Sequence, residues 1–346
     1  MTHLYFAANN AEIGGGEVML LQYAKICREL GHDVTVVAPQ SNDGVGREAS
    51  DLGFSTVGIR AHSKMEYMRN LREWDKKHRD GVLWCHGHTP GLATIGHPKR
   101  IVHLHQAPSK KHIMAGRLAG AGSLALVVPS IFMKNQFPFA QLLWNWCDPI
   151  NVSHRKKSEN VIRVGFIGRL SPLKGIIDLA NALVILNETR SFNIEFVIAG
   201  EPRFSSESET AEVEKALSHI SSFTTRLGWV NQEKFYSQID LLVVPSSWDE
   251  PFGLTLIEGM SACIPLVVTD SGAFPEILPP DYPFIARKND PKDLARTIAA
   301  LSTLNPIDQQ TLVDASHERW RTCFSTEAAS QRIHCFLTDT IPPENN

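Results

Sequence analysis

Short apolar runs, separated by polar loops that carry glycine, recur along the whole chain. Leu4–Ala8, Asp33–Ala38 (DVTVVA), Val82–Cys85, Ile101–Leu104 and Leu124–Pro129 are rich in branched residues and too short for buried helices, so each reads as a strand buried on both faces of a parallel sheet. The pattern restarts with Val161–Gly168, Ile194–Gly200 (IEFVIAG) and Leu241–Pro245. Between these runs the apolar positions take a helical period. Helices are expected from Glu17 to about Leu30, where Gly31 ends the run, over the charged Met65–His78, after the serine cap Ser130, over Ile176–Leu186 and Leu254–Cys263, and through most of 293–337. Strands alternating with helices predict doubly wound α/β sheets. The restart predicts two domains, 1–150 and 151–325, with a polar linker at about 148–160 and a carboxy-terminal helix and tail over 326–346. Residues 41–80 are polar and punctuated by glycine before they become the charged Met65–His78 helix, and offer no candidate chemistry.

Chemistry concentrates in LLVVPSSWDEPFGLTLIEGMSACIPLVVTDSGAFPEIL, Leu241 to Leu278. Glu250 lies in the loop after the predicted strand, and Glu258 is the only charge on the apolar Leu254 helix. A carboxylate in an apolar shell needs partners, and a ligand bearing hydroxyl donors supplies them. The backbone N–H groups of Phe252, Gly253 and Leu254 would lie at the helix amino end, a natural seat for phosphate, with Gly253 permitting close approach. Hydroxyls for two glutamates and a phosphate for main-chain amides are what a nucleotide sugar offers. Arg169 and Lys174, in the loop Arg169-Leu-Ser-Pro-Leu-Lys174-Gly175 between a strand and a helix, suit a pyrophosphate: the guanidinium binds in a fork and the ammonium as a point charge.

The first half holds a triple glycine, Gly14, Gly15 and Gly16, after its first strand; it does not spell G-x-G-x-x-G and taken alone is a tight turn. Two H-x-H pairs, His86 with His88 and His103 with His105, end two other strands, where residues i and i+2 share a face. No carboxylate stands beside them in sequence, so strand-end histidines held by hydrogen bonds are expected for His86 and His103, and no metal site.

Glu250-Pro-Phe-Gly followed by Glu258, together with the preceding Pro-Ser and the following Thr-Asp-Ser-Gly-Ala-Phe-Pro-Glu-Ile, resembles the E-x7-E element of family 4 retaining glycosyltransferases (glycosyl transferases group 1) with the GT-B fold. The G-R-L-x-x-x-K-G loop around Arg169 and Lys174 is similar to that family's diphosphate-binding loop. The resemblance implies two Rossmann-like domains facing a cleft, and transfer of a sugar from a nucleotide diphosphate sugar with retention of anomeric configuration. Donor contacts are implied for Gly15, Gly16, Glu201, Trp229, Val230, Phe252, Gly253, Leu254 and Thr255. Glu258 would hold the ribose hydroxyls and Glu250 the transferred sugar. His105 is implied as the histidine near that sugar, with His103 the alternative register, and Gly14, His88 and Ser130 fall on the acceptor side. Glu250, His105, Arg169 and Lys174 would be the catalytic set. A nucleotide-sugar epimerase or sugar phosphorylase on the same fold, and a non-catalytic nucleotide-sugar sensor, are the rival readings.

Composition narrows the classes further. The 346 residues, 43% of them hydrophobic, suffice for two cores, and a net charge of −3 gives no general argument for nucleic acid. The six cysteines contain no C-x-x-C pair, which favours reduced thiols in a cytoplasmic protein. MTHLYFAANN has neither a basic region nor a long apolar run, so no signal peptide is expected. No cofactor is expected beyond the donor itself. Charge is uneven: residues 1–155 carry 17 Lys+Arg against 12 Asp+Glu, leaving 17 against 25 for the remainder. Lys110, Lys111 and Arg117 stand in the most basic stretch, and they predict an acidic sugar or lipid-linked acceptor, or contact with the inner face of an anionic membrane.

Overall fold

Parallel pairing absorbs every apolar run in the list above. The computed structural model describes residues 2–106, 109–153, 161–189, 193–202 and 205–342, and divides them into two units, 1–145 with 329–346, and 146–328. Of the expected linker, residues 154–160 lie outside the described residues.

The first unit is built on β1 (His3–Ala7), β2 (Asp33–Pro39), β3 (Ser55–Ile59), β4 (Val82–His86), β5 (Arg100–His103), β6 (Ala125–Val128) and β7 (Gln141–Leu142), in the order β3-β2-β1-β4-β5-β6-β7. The second uses β8 (Ile162–Ile167), β9 (Ile194–Ala199), β10 (Thr224–Arg226), β11 (Leu241–Val244), β12 (Leu266–Thr269) and β13 (Ile285–Ala286), in the order β10-β9-β8-β11-β12-β13. All pairings are parallel. Each order runs outward from the first strand in both directions, the Rossmann-like arrangement, so each sheet has a switch point where a loop leaves the carboxyl end of its first strand beside that of its fourth. In the first unit the switch point lies at the ends of β1 and β4; in the second, of β8 and β11.

The first core is continuous from Tyr5, Ala7 and Val37 through Leu83, Cys85 and Val102 to Val128 and Phe137, all buried. Inward residues come from both faces, which is why the strands read as unbroken apolar runs rather than alternating ones. Helix Thr326–Thr340 ends in this unit, where the Phe336 ring stacks 5.4 Å from that of Trp84.

The polar, glycine-punctuated stretch before Met65 contains helix Val45–Asp51 and strand β3. Ser55, Thr56 and Gly58 are exposed because β3 is an edge strand: β2 supplies its backbone hydrogen bonds, so it needs no apolar run of its own. The polar loop after Gly200 gives way to helix Glu207–Ser218, capped by Ser206, whose Oγ accepts from Glu209 N.

Candidate functional site

The loop leaving β8 carries Gly168 and Arg169 and then makes a tight 3-10 turn, Pro172–Lys174. Gly175 closes it with φ 73°, and a Cβ there would stand 1.7 Å from the carbonyl oxygen of Pro245. Only glycine lets this loop lie directly on the loop leaving β11. That close approach delivers Lys174 to Glu250: Nζ donates to Oε1 at 2.8 Å. Ser246 Oγ donates to the same oxygen at 2.6 Å and Trp248 Nε1 at 3.0 Å. Glu250 is 5% exposed, and three donors, one of them charged, compensate its lost water. Nothing in the spacing of Ser246 or Trp248 marked them beforehand, since both act across one turn of loop whose path is set by β11.

Helix Leu254–Ser261 starts from Gly253, φ 137°, packed so tightly that a Cβ would meet the Phe274 ring at 2.6 Å. Leu256 N and Ile257 N make the first bonds, to Gly253 O at 3.1 and 3.3 Å, so the N–H groups of Leu254 and Thr255 precede the intrahelical ladder and point out of the helix end. Leu256, Ile257, Gly259 and Met260 are buried, whereas Leu254, Thr255 and Glu258, related by i+3 and i+4, share the accessible face. The sequence suggested Glu258 as a carboxylate in an apolar shell, and the structure keeps it there, only partly accessible, while Glu250 is buried beside its three donors. Burial pushes the Glu258 carboxyl up to about 7, against a smaller opposing pull from a Gln232 side-chain hydrogen bond.

The other expected donor residues ring this centre unequally. Arg169 is half-buried and forms no ion pair with a described residue. Glu201 is exposed, and its carbonyl accepts from Leu170 N at 3.1 Å, tying the β9 loop to the Arg169 loop. Trp229 is 71% exposed and Val230 half-buried, so Trp229 belongs to the surface and not to the core. The Phe252 side chain is an anchor, buried with its ring 5.8 Å from that of Phe324.

In the first unit, Gly14 N donates to Glu17 Oε2 at 3.2 Å, and burial raises the Glu17 carboxyl. A Cβ on Gly16 would lie 3.6 Å from the Cβ of His105, so the glycine loop rests on that histidine. Register pairs His86 with His103 across β4 and β5, and His105 follows two residues on. His86 Nδ1 and His105 Nε2 share a hydrogen bond of 2.9 Å, as expected for a held strand-end histidine. His103 departs from that expectation: neither ring nitrogen has a partner.

His88 is buried, and its Nε2 donates to the carbonyl of His112 at 3.1 Å, fastening helix His88–Ala93 to helix Lys110–Gly120. Ser130 is buried, its Oγ capping helix Ile131–Gln136 by accepting from Met133 N at 3.0 Å. Lys110, Lys111 and Arg117 are exposed on helix Lys110–Gly120, joined there by exposed Met114 and Leu118, an apolar component that the charge pattern concealed. Among the described residues no helix is long and apolar enough to cross a membrane.

Residues 150–318 match the family described as glycosyl transferases group 1. An uncharacterised glycosyltransferase of Methanocaldococcus jannaschii is 31% identical over 137 residues, 39% of this chain and 37% of that protein. The lipopolysaccharide 1,2-N-acetylglucosaminetransferase of Salmonella typhimurium is 32% identical over 120 residues, 33% of this chain and 31% of that protein. The matched region thus spans about a third of the length of these curated relatives. Among solved structures, Anabaena HepE in complex with UDP-glucose superposes with a TM-score of 0.83 at 17% identity, covering 98% of this chain and all (100%) of that one. Sucrose-phosphate synthase from Thermosynechococcus elongatus gives a TM-score of 0.82 at 15% identity, covering 98% and 99%. At such identities the likeness is one of fold, and the fold is that of GT-B glycosyltransferases.

Proposed function

We propose that this chain is a retaining glycosyltransferase of family 4 that moves a sugar from a nucleotide diphosphate sugar to a sugar-containing or lipid-linked acceptor. The Lys174–Glu250 pair at the switch point of the second sheet carries the reading, with the open amino end of helix Leu254–Ser261 beside it in sequence. A diphosphate brought to Arg169, Lys174 and the N–H groups of Leu254 and Thr255 meets two cations and a helix terminus without a bridging metal. Those groups stabilise the charge that grows on the diphosphate as its bond to the anomeric carbon breaks and the electron pair moves to the leaving oxygen. Lys174, held by Glu250 until then, changes partner to the diphosphate and frees Oε1 to accept from the hydroxyls of the transferred sugar. Glu258, on the accessible face of its helix, accepts from the ribose.

Acceptor recognition is assigned to the first unit. The exposed Lys110, Lys111 and Arg117 beside Met114 and Leu118 suit an acceptor with an anionic group and an apolar anchor, at the cytoplasmic face of a membrane.

A thermal-shift panel of UDP-, GDP-, ADP- and TDP-sugars tests donor binding, because a ligand that binds only the folded chain raises its stability by mass action. Release of nucleoside diphosphate only in the presence of acceptor then separates transfer from epimerisation, and the anomeric configuration of the product reports retention. A chain that binds none of the panel, or that turns over as fast with Lys174→Ala as without it, would lose this assignment.

A further inference from the structure

We propose that His86, His103 and His105 form a binding site for one divalent transition-metal ion of the zinc type in the first unit. The inference does not depend on the sugar-transfer reading, although it uses His105, the histidine that the resemblance sets near the transferred sugar; it rests on residues at the ends of β4 and β5. One potential ligand nitrogen from each histidine lies within 4.8 Å of the others. The convergence is a product of register: His86 and His103 are partners across adjacent parallel strands, and His105 follows just past the end of β5. The rings are stacked or tilted on one another, with centroids 4.1 Å apart for His103 and His105 and 5.0 Å for His86 and His105.

A second observation points to a missing partner. His103 is 0% exposed, yet both its ring nitrogens lack a hydrogen bond, and so do His86 Nε2 and His105 Nδ1. Buried polar atoms are nearly always satisfied, so the fully buried His103 ring, with neither nitrogen partnered, marks a place that a ligand completes.

The distances suit an ion after small side-chain torsions. Zn–N bonds of about 2.0 Å in a tetrahedral set place ligand nitrogens about 3.3 Å apart. The cluster spans 2.9 Å for the hydrogen-bonded His86–His105 pair and no more than 4.8 Å for any other. An all-imidazole set selects zinc, cobalt, nickel or copper over magnesium and calcium, which prefer oxygen. Three protein ligands leave the fourth position to water, and with no anionic ligand in the set that water gives up its proton more readily. Such an ion would pin the ends of β4 and β5 beneath the glycine loop at Gly16.

Chelator-stripped protein titrated with Co2+ is expected to develop the visible absorption of a tetrahedral nitrogen-ligated ion at one equivalent, and Zn2+ should displace it and raise Tm. His103→Gln and His105→Asn should each weaken Co2+ binding by about 100-fold or more, since loss even of an outer-shell partner reaches that range. His88→Gln, outside the cluster, should leave the affinity unchanged. His105 is only half-buried, so His105→Asn decides the matter alone should circular dichroism show that His103→Gln does not fold. Absence of the band in the parent protein, or an undiminished band in His105→Asn, overturns the proposal.

Discussion

Lys174 Nζ reaches Glu250 Oε1 at 2.8 Å across 76 residues of sequence, joining the loop that leaves the first strand of the second sheet to the loop that leaves its fourth. The pair neutralises a buried carboxylate and holds an ammonium ready at the place where the fold's topology opens for a ligand. Replacing Lys174 with Ala is expected to reduce turnover on the order of 100-fold, by comparison with the loss of one oxyanion donor elsewhere. Steady-state kinetics with a saturating donor check it, and Arg169→Ala should behave alike.

Gly175→Ala tests how that lysine is delivered. A Cβ would clash with the Pro245 carbonyl, and the φ of 73° is strained for any residue with a side chain. The loop must lift off β11, so turnover should fall with that of Lys174→Ala while the second sheet stays folded by circular dichroism.

Glu258 couples stability to pH. Its folded pKa of about 7 lies above the ordinary 4.5, so the folded chain holds a proton that the unfolded chain releases between those values. Stability contributed by this group is therefore fully present below pH 4.5 and is lost as pH rises towards 7. Glu258→Gln should remove that loss and stabilise the protein at pH 8 by on the order of 1–2 kcal/mol, discounted for its partial exposure, while weakening donor binding. Denaturant unfolding at pH 5 and 8 beside donor titration reads both; a variant neither more stable at pH 8 nor weaker for the donor contradicts the assignment.

A buried ion-pair cluster governs the far end of the first sheet. Asp75 is buried and pairs with both Arg79 and His97, and Arg79 also donates to the Pro98 carbonyl at 2.8 Å. Asp75→Ala leaves the Arg79 guanidinium and the His97 ring without their carboxylate and should destabilise the chain by about 3 kcal/mol. Its unfolding midpoint should fall, with donor affinity unchanged.

The basic face of helix Lys110–Gly120 makes a salt-sensitive prediction. Replacing Lys110, Lys111 and Arg117 together with Ser should raise the acceptor KM, most clearly at low ionic strength, and leave donor affinity alone. An unchanged KM at low salt would remove this face from acceptor recognition.

Local pattern sufficed for everything that local chemistry controls. Fully buried parallel strands need unbroken apolar runs, so Leu241–Val244 and Ile194–Ala199 announce themselves, whereas the edge strand Ser55–Ile59 borrows its order from β2 and leaves no such mark. The spacing that puts Arg169 and Lys174 in one loop, and Glu250 and Glu258 on either side of a helix start, was legible for the same reason. That Lys174 reaches Glu250 was not, because that depends on how two loops from non-consecutive strands meet once the order β9-β8-β11 is set. The histidines show the same division: H-x-H motifs are visible in the chain, but only the parallel register of β4 and β5 sets His86 beside His103 and leaves His88 to a neighbouring helix. Sequence spacing fixes faces along one element, and the sheet order decides which faces touch.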